Sequence, residues 1–145
     1  MRFMMLVRAD KRTEEGVLPT EQELAEMMQY NEELVKAGVL LAGEGLHPSS
    51  KGARVKFSGG KAIVVDGPFA ETRELIAGYW LLQVKSREEA VEWARRVPFR
   101  EGEVELRQVF EADDFGDAFT PELREQEERL RAQEERLRAK VGGSQ

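Results

Sequence analysis

Two stretches of this chain are apolar at all or nearly all positions, and both are too short to be buried helices. Phe3-Met4-Met5-Leu6-Val7 opens the chain, and Tyr79-Trp80-Leu81-Leu82-Gln83-Val84 lies past its middle. Successive side chains of a strand point to opposite faces. Phe3, Met5 and Val7 therefore face away from Met4 and Leu6, and Tyr79 and Leu81 away from Trp80, Leu82 and Val84. Burying each such side chain is worth roughly 1.5–3 kcal/mol, and an apolar patch of that size does not stay bare on a monomer. One layer of helices covers one face only. The other calls for a second copy, so the pattern predicts a homodimer whose sheets pack face to face.

The elements between and beyond these strands are also legible. Thr20-Glu21-Gln22-Glu23 has capping-box spacing, which starts a helix over 20–37. Leu24, Met27, Met28, Leu34 and Val35 are its apolar stripe, and Gly38 stands at its C-cap. Val39–Ala42 is a short strand, followed by Gly43-Glu44-Gly45-Leu46-His47-Pro48. Ala53–Phe57 and Lys61–Val65 flank Gly59-Gly60 and predict a hairpin. Ser86 caps a second helix with Ala90, Val91, Ala94 and Val97 inward, ended by Pro98. Val104–Phe110 is the last strand. The order β-α-β, hairpin, β-α-β is the ferredoxin-like split βαβ of the α+β class with an inserted β-hairpin.

Composition bounds the function. The chain has 145 residues, a formal net charge of −6 and no cysteine. The acidic balance argues against a nucleic-acid footprint, which needs a basic face. The missing thiols remove disulfides, thiolate metal sites and a cysteine nucleophile. No apolar run approaches the roughly 20 residues that span a bilayer, and the N-terminus lacks a signal-peptide pattern. A cytoplasmic protein with no membrane role is expected, with no cofactor and no metal. Neither a phosphate-cradling glycine motif nor a nucleophile elbow is present.

Past about residue 112 the composition changes. Residues 113–145 read as an acidic connector and a C-terminal charged helix, capped by Thr120 with Pro121 at its first position. The heptad Gln-Glu-Glu-Arg-Leu-Arg-Ala occurs twice, at 126–132 and 133–139. Glu125–Arg129, Glu127–Arg131 and Glu134–Arg138 are i,i+4 pairs. Leu123, Leu130 and Leu137 form one ridge, and a coiled coil needs two apolar positions per heptad. The helix is expected to be solvated, with that ridge as a docking line for its own chain, its dimer mate or a protein partner.

The stretch with the most chemistry in it is Val65-Asp66-Gly67-Pro68-Phe69-Ala70-Glu71-Thr72. A buried-type strand ends on a carboxylate, and Gly and Pro hold the next turn rigid. Asp66 reads either as a pocket carboxylate, acting as general base or ligand anchor, or as a turn-former accepting N–H groups of its own corner. His47 is the chain's one histidine. It reads as a partner for Asp66 if the hairpin folds back, or more plainly as an exposed loop residue. Glu71 and Phe69 would line the same cleft. Arg8, at the end of the first strand, would neutralise a ligand carboxylate or, more plainly, pair with Asp10 or Glu44. Asp113, Asp114 and Asp117 lack the pattern of a calcium loop and read as solvated linker.

The string Val65 to Glu74, with Gly78-Tyr79-Trp80-Leu81-Leu82, Ala90 to Pro98, Val104-Glu105-Leu106-Arg107 and the Gly43–Ser49 loop, closely resembles the DGPF branch of the YCII-related domain family over residues 1–112. The resemblance implies a dimeric α/β barrel with a cleft between sheet and loops, and no settled reaction. Relatives in this branch often accompany extracytoplasmic-function sigma factors, which implies a regulatory setting. The wider family's acid–base pair takes a histidine from the first helix, and helix 20–37 here has none. Two readings follow. One is a small-molecule-binding protein with acid–base catalysis centred on Asp66, aided by His47 or Glu71. The other is a non-catalytic regulatory or interaction partner that docks through residues 121–145.

Overall fold

A computed structural model describes residues 1–142. The chain divides into two compact units, the first Met1–Val109 and the second beginning at Phe110. The first unit is built on a four-stranded antiparallel sheet in the order β2-β5-β1-β6, with β1 Arg2–Arg8, β2 Leu40–Gly45, β5 Ile76–Gln83 and β6 Val104–Gln108. β3 Ala53–Ser58 and β4 Lys61–Asp66 form a separate two-stranded sheet. With helices α2 Glu21–Lys36 and α3 Arg87–Arg95 as the two crossovers, this is the ferredoxin-like α+β topology with the hairpin inserted. A four-residue helix, α1 Lys11–Glu14, interrupts the loop after β1.

The register explains the double apolar runs. Met4 pairs with Leu81 and Leu6 with Tyr79, so these four share one face. Phe3 pairs with Leu82 and Met5 with Trp80 on the other. The latter face is the core: Met5, Leu82 and Leu34 of α2 are 0% exposed. Met4, Leu6, Tyr79 and Leu81 are only half-buried, and they run across the middle of the sheet on the face opposite the core cluster. β2 is less protected than a buried strand, because it is the sheet's edge.

The helices bury only part of what the spacing suggests: Leu34 and Ala90 are fully buried, and Met27, Ala94 and Val97 pack against the core. Thr20 and Glu23 make the reciprocal capping box: Glu23 N–H donates to Thr20 Oγ1 at 3.1 Å and Thr20 N–H to Glu23 Oε1 at 3.1 Å. Leu24, Met28 and Val35, however, are exposed, and the buried residues of α2 are Tyr30 and Leu34. In α3 Trp93 is buried beside Ala90. Tyr30 stands edge-on to Trp80 at 5.4 Å and to Trp93 at 6.4 Å between ring centres. Its O–H donates to the Trp93 carbonyl at 2.7 Å, and Trp80 Nε1–H donates to Asn31 Oδ1 at 2.8 Å. One aromatic knot thus ties both helices to β5, and burial pushes the Tyr30 phenol well above its ordinary pKa.

The hairpin is anchored at its base. Gly59 and Gly60, at φ of 57° and 80°, make its turn. At the other end the Asp66 corner is clasped: Ser49 Oγ donates to Glu14 Oε2 at 2.5 Å, Ser49 N–H to Glu14 Oε1 at 3.0 Å, and Phe69 N–H to Ser49 Oγ at 3.0 Å. Gly67 N–H donates to the Gly52 carbonyl at 3.0 Å. The Gly67–Pro68 peptide is cis. A Cβ on Gly67 would stand 1.8 Å from the Ser49 carbonyl oxygen, so this backbone crossing admits glycine only.

The second unit is more structured than a solvated linker. Residues 112–118 form 3-10 turns. Phe110 stacks on Phe115 at 4.9 Å and Phe115 packs on Phe119 at 5.6 Å. Asp113 pairs with Arg124 at 3.0 Å, and Asp114 accepts the Glu111 N–H at 2.8 Å. Helix α4, Pro121–Gly142, follows, with Glu125–Arg129 and Glu127–Arg131 paired at 3.6 and 3.0 Å.

Three outcomes are expected from this packing, each read by chemical denaturation. Leu34→Ala removes a fully buried side chain and destabilises by about 2–5 kcal/mol. Tyr30→Phe costs about 1 kcal/mol, at the mild end, because the Trp93 carbonyl keeps the Arg96 N–H as a donor. Gly67→Ala forces the clasp open, lowering stability and releasing the corner without melting the main core. A pH scan adds a fourth. The Thr20 N–H, then Arg12, hold the Glu23 carboxyl below its ordinary pKa. Its contribution is therefore present above the unfolded value and fades as pH falls through the depressed one. Glu23→Gln should flatten that acid limb.

Candidate functional site

β4 carries Asp66 to its last position, and the clasp fixes where the chain goes next. Asp66 pairs with Ala53 across the hairpin, so its side chain shares a face with Val55, Phe57, Ala62 and Val64. The carboxylate is exposed in the single chain. The corner does not use it as a turn-former would. Phe69 N–H is satisfied by Ser49 instead, and among the described residues no donor reaches the Asp66 carboxylate. A rigid backbone thus presents a carboxylate whose acceptor sites are all unspent.

None of the other predicted residues bonds to the Asp66 side chain among the described residues. His47 is exposed, two positions before Ser49, and its ring makes no pair with Asp66 in the single chain. Glu71 is exposed, and its side chain is unpaired among the described residues. Phe69 is half-buried under Arg54, whose guanidinium carbon lies 4.0 Å from the ring centre and which also reaches Glu74 at 3.8 Å. Arg8 is not paired with Asp10 or Glu44. It lies 3.9 Å from Glu103 and 3.7 Å from Glu105, across β6, while Asp10 accepts the Thr13 N–H at 2.8 Å as the cap of α1. Two residues that the spacing did not single out, Glu14 and Ser49, hold the corner. Glu14 sits in a charged loop and Ser49 beside a proline, and only tertiary contact makes them matter.

Neither a metal cluster nor a ligand-sized cavity collects these residues. Among the described residues no three His, Asp or Glu side chains stand close enough to hold a metal ion. No helix among the described residues is long and apolar enough to cross a membrane. A shallow concavity of about 190 Å³ lies elsewhere, between α3 and β6, lined by Ala94, Val97, Phe99, Gly102 and Val104 among others. It falls below the roughly 300 Å³ at which small-molecule sites begin, and none of the five predicted residues lines it.

Comparison with known proteins supplies the family. The profile of the YCII-related domain matches residues 1–113. An uncharacterized protein of Rhizobium meliloti (strain 1021) is 36% identical over 75 residues, which is 52% of this chain and 60% of that protein's length. The 5-chloro-2-hydroxyhydroquinone dehydrochlorinase of Burkholderia phenoliruptrix AC1100, solved with 2,5-dihydroxybenzoquinone, is a distant structural neighbour. It has a TM-score of 0.40 and 9% identity, covering 76% of this chain and 94% of the dehydrochlorinase. With the family profile spanning the whole first unit, the chain belongs to the YCII-related domain family.

Proposed function

We propose that this protein binds a compact, partly apolar small molecule in a cleft formed when two copies pair through the open faces of their sheets, with Asp66 as the proton acceptor. The observation that carries the reading is the Asp66 carboxylate itself, held on a clasped corner and left without an internal partner. Structural carboxylates spend their acceptor sites on N–H groups or cations, as Asp10 and Glu14 do here. The face carrying Met4, Leu6, Tyr79 and Leu81 supports the pairing, because burial of such side chains is worth roughly 1.5–3 kcal/mol each. Closure would bring apolar surface against Asp66, the kind of setting in which a carboxylate serves as a general base. His47 and Glu71, on the loops beside it, are the assisting groups.

A second reading has one observation behind it. Leu123, Leu130 and Leu137 of α4 are 44%, 50% and 62% exposed, a ridge fit for a regulatory protein partner. Removal of residues 121–145 would then abolish that partnership and leave the pairing of copies intact.

Leu81→Asp should convert the paired form to a folded monomer in sedimentation velocity. Asp66→Asn should leave stability and pairing unchanged. Small-molecule fragments that raise the melting temperature of the wild type should lose at least tenfold in affinity on that variant. Where a fragment is turned over, proton transfer through Asp66 is worth about 10²–10⁴ in rate, and that factor should vanish. Unchanged binding and turnover in Asp66→Asn would remove Asp66 from the site.

A further inference from the structure

The β3–β4 hairpin is the one two-stranded sheet of the first unit, and all its residues are exposed except the half-buried Arg54. Phe57 is 80% exposed and Val64 65%. Its register places Val55 opposite Val64 and Phe57 opposite Ala62, so one face is apolar from the turn down to Ala53 and Asp66. An isolated two-stranded ribbon is marginal in water and needs a further layer. Its own chain provides that layer only at the base, through Arg54, Phe69 and the Ser49 clasp.

We propose that this hairpin is an arm that closes on a second copy of this chain, burying Val55, Phe57 and Val64 and roofing the Asp66 corner. Charge selects the occupant. Between Glu44 and Asp66 the chain carries Lys51, Arg54, Lys56 and Lys61 and no carboxylate, within a sequence of net charge −6. The arm is thus a cationic segment on an acidic protein, and the acidic remainder of a copy is complementary to it. Lys56 and Lys61 flank the turn, and their long stems let the ammonium groups reach around the ribbon's edges to carboxylates while the apolar face is covered. A layer needed by every folded molecule is also best met by the one partner always present, its own copy. The enclosure of Asp66 rests on the functional reading above, but the gripping of a copy does not, since Asp66 and the apolar row occupy one face by strand alternation alone.

The test uses full-length protein in sedimentation equilibrium at low and high salt. Two arm variants, Phe57→Ser/Val64→Ser and Lys56→Glu/Lys61→Glu, are run beside Leu81→Asp, with circular dichroism and thermal melting as fold controls. Both arm variants should keep the fold and weaken self-association at least tenfold. The charge-reversed pair should lose the salt dependence of the wild type. Arm variants that associate like the wild type while Leu81→Asp is monomeric would overturn the arm and leave the sheet pairing standing. A wild type that is monomeric and binds vesicles of phosphatidylglycerol through Phe57 would also overturn it, assigning the arm to a lipid surface. Loss of association in the arm variants, with Asp66→Asn binding every fragment normally, would uphold the arm and reject only the role of Asp66.

Discussion

A four-stranded sheet with two apolar faces and helices for only one of them is the constraint on which this structure turns. The chain spends both crossovers, α2 and α3, on the face of Phe3, Met5, Trp80 and Leu82. No further element of the first unit is left for the face of Met4, Leu6, Tyr79 and Leu81. Hydrophobic burial is non-directional and scales with area, and the pairing of copies proposed above rests on that term. A twofold pairing uses the same patch on both subunits, which is why the reading proposed above takes a copy as the cover.

The Asp66 corner obeys a different economy. Glycine at 67 lets two backbones cross at a distance no other residue allows, and Ser49 takes the one N–H that an aspartate at this corner would otherwise bond. Glu14 then orients Ser49 through two hydrogen bonds. The result is a carboxylate relieved of structural duty. Such relief has a cost, since Glu14 and Ser49 must be held together by half-buried polar contacts.

Much of this was legible in the order of residues, for physical reasons. The alternation within Phe3–Val7 and Tyr79–Val84 set out the two faces, and the Thr20 box and the Gly59-Gly60 turn act within four residues of themselves. What was not legible depends on distant pairing. Leu24 and Val35 fit a helical stripe yet lie exposed, because the aromatic knot of Tyr30, Trp80 and Trp93 rotates α2 onto its polar-tipped tyrosine. Arg8 found Glu103 and Glu105 because β6 lies beside β1, a neighbour nearly a hundred positions away. Glu14 and Ser49 carried no local signal at all. The chemistry of Asp66 was visible as a choice between two roles, and the Phe69 N–H goes to Ser49 and not to Asp66.

Helix α4 shows how a different balance produces order. It has a weak apolar stripe, so tertiary burial is not what makes it helical. Its residues are Glu, Arg, Gln, Leu and Ala in the main, the strongest intrinsic helix formers. Thr120 supplies a cap at 3.3 Å to Leu123 N–H, and Pro121 is preorganised for the first turn. The two i,i+4 ion pairs add only about 0.3–0.5 kcal/mol each. Stability assembled from propensity, cap and pairs leaves the leucine ridge unspent. The first unit is the converse, a fold whose helices are positioned by burial and whose Asp66 corner is positioned by hydrogen bonds. Folding thus leaves the Asp66 carboxylate of one unit and the leucine row of the other exposed, and it is on these two that the readings proposed above rest.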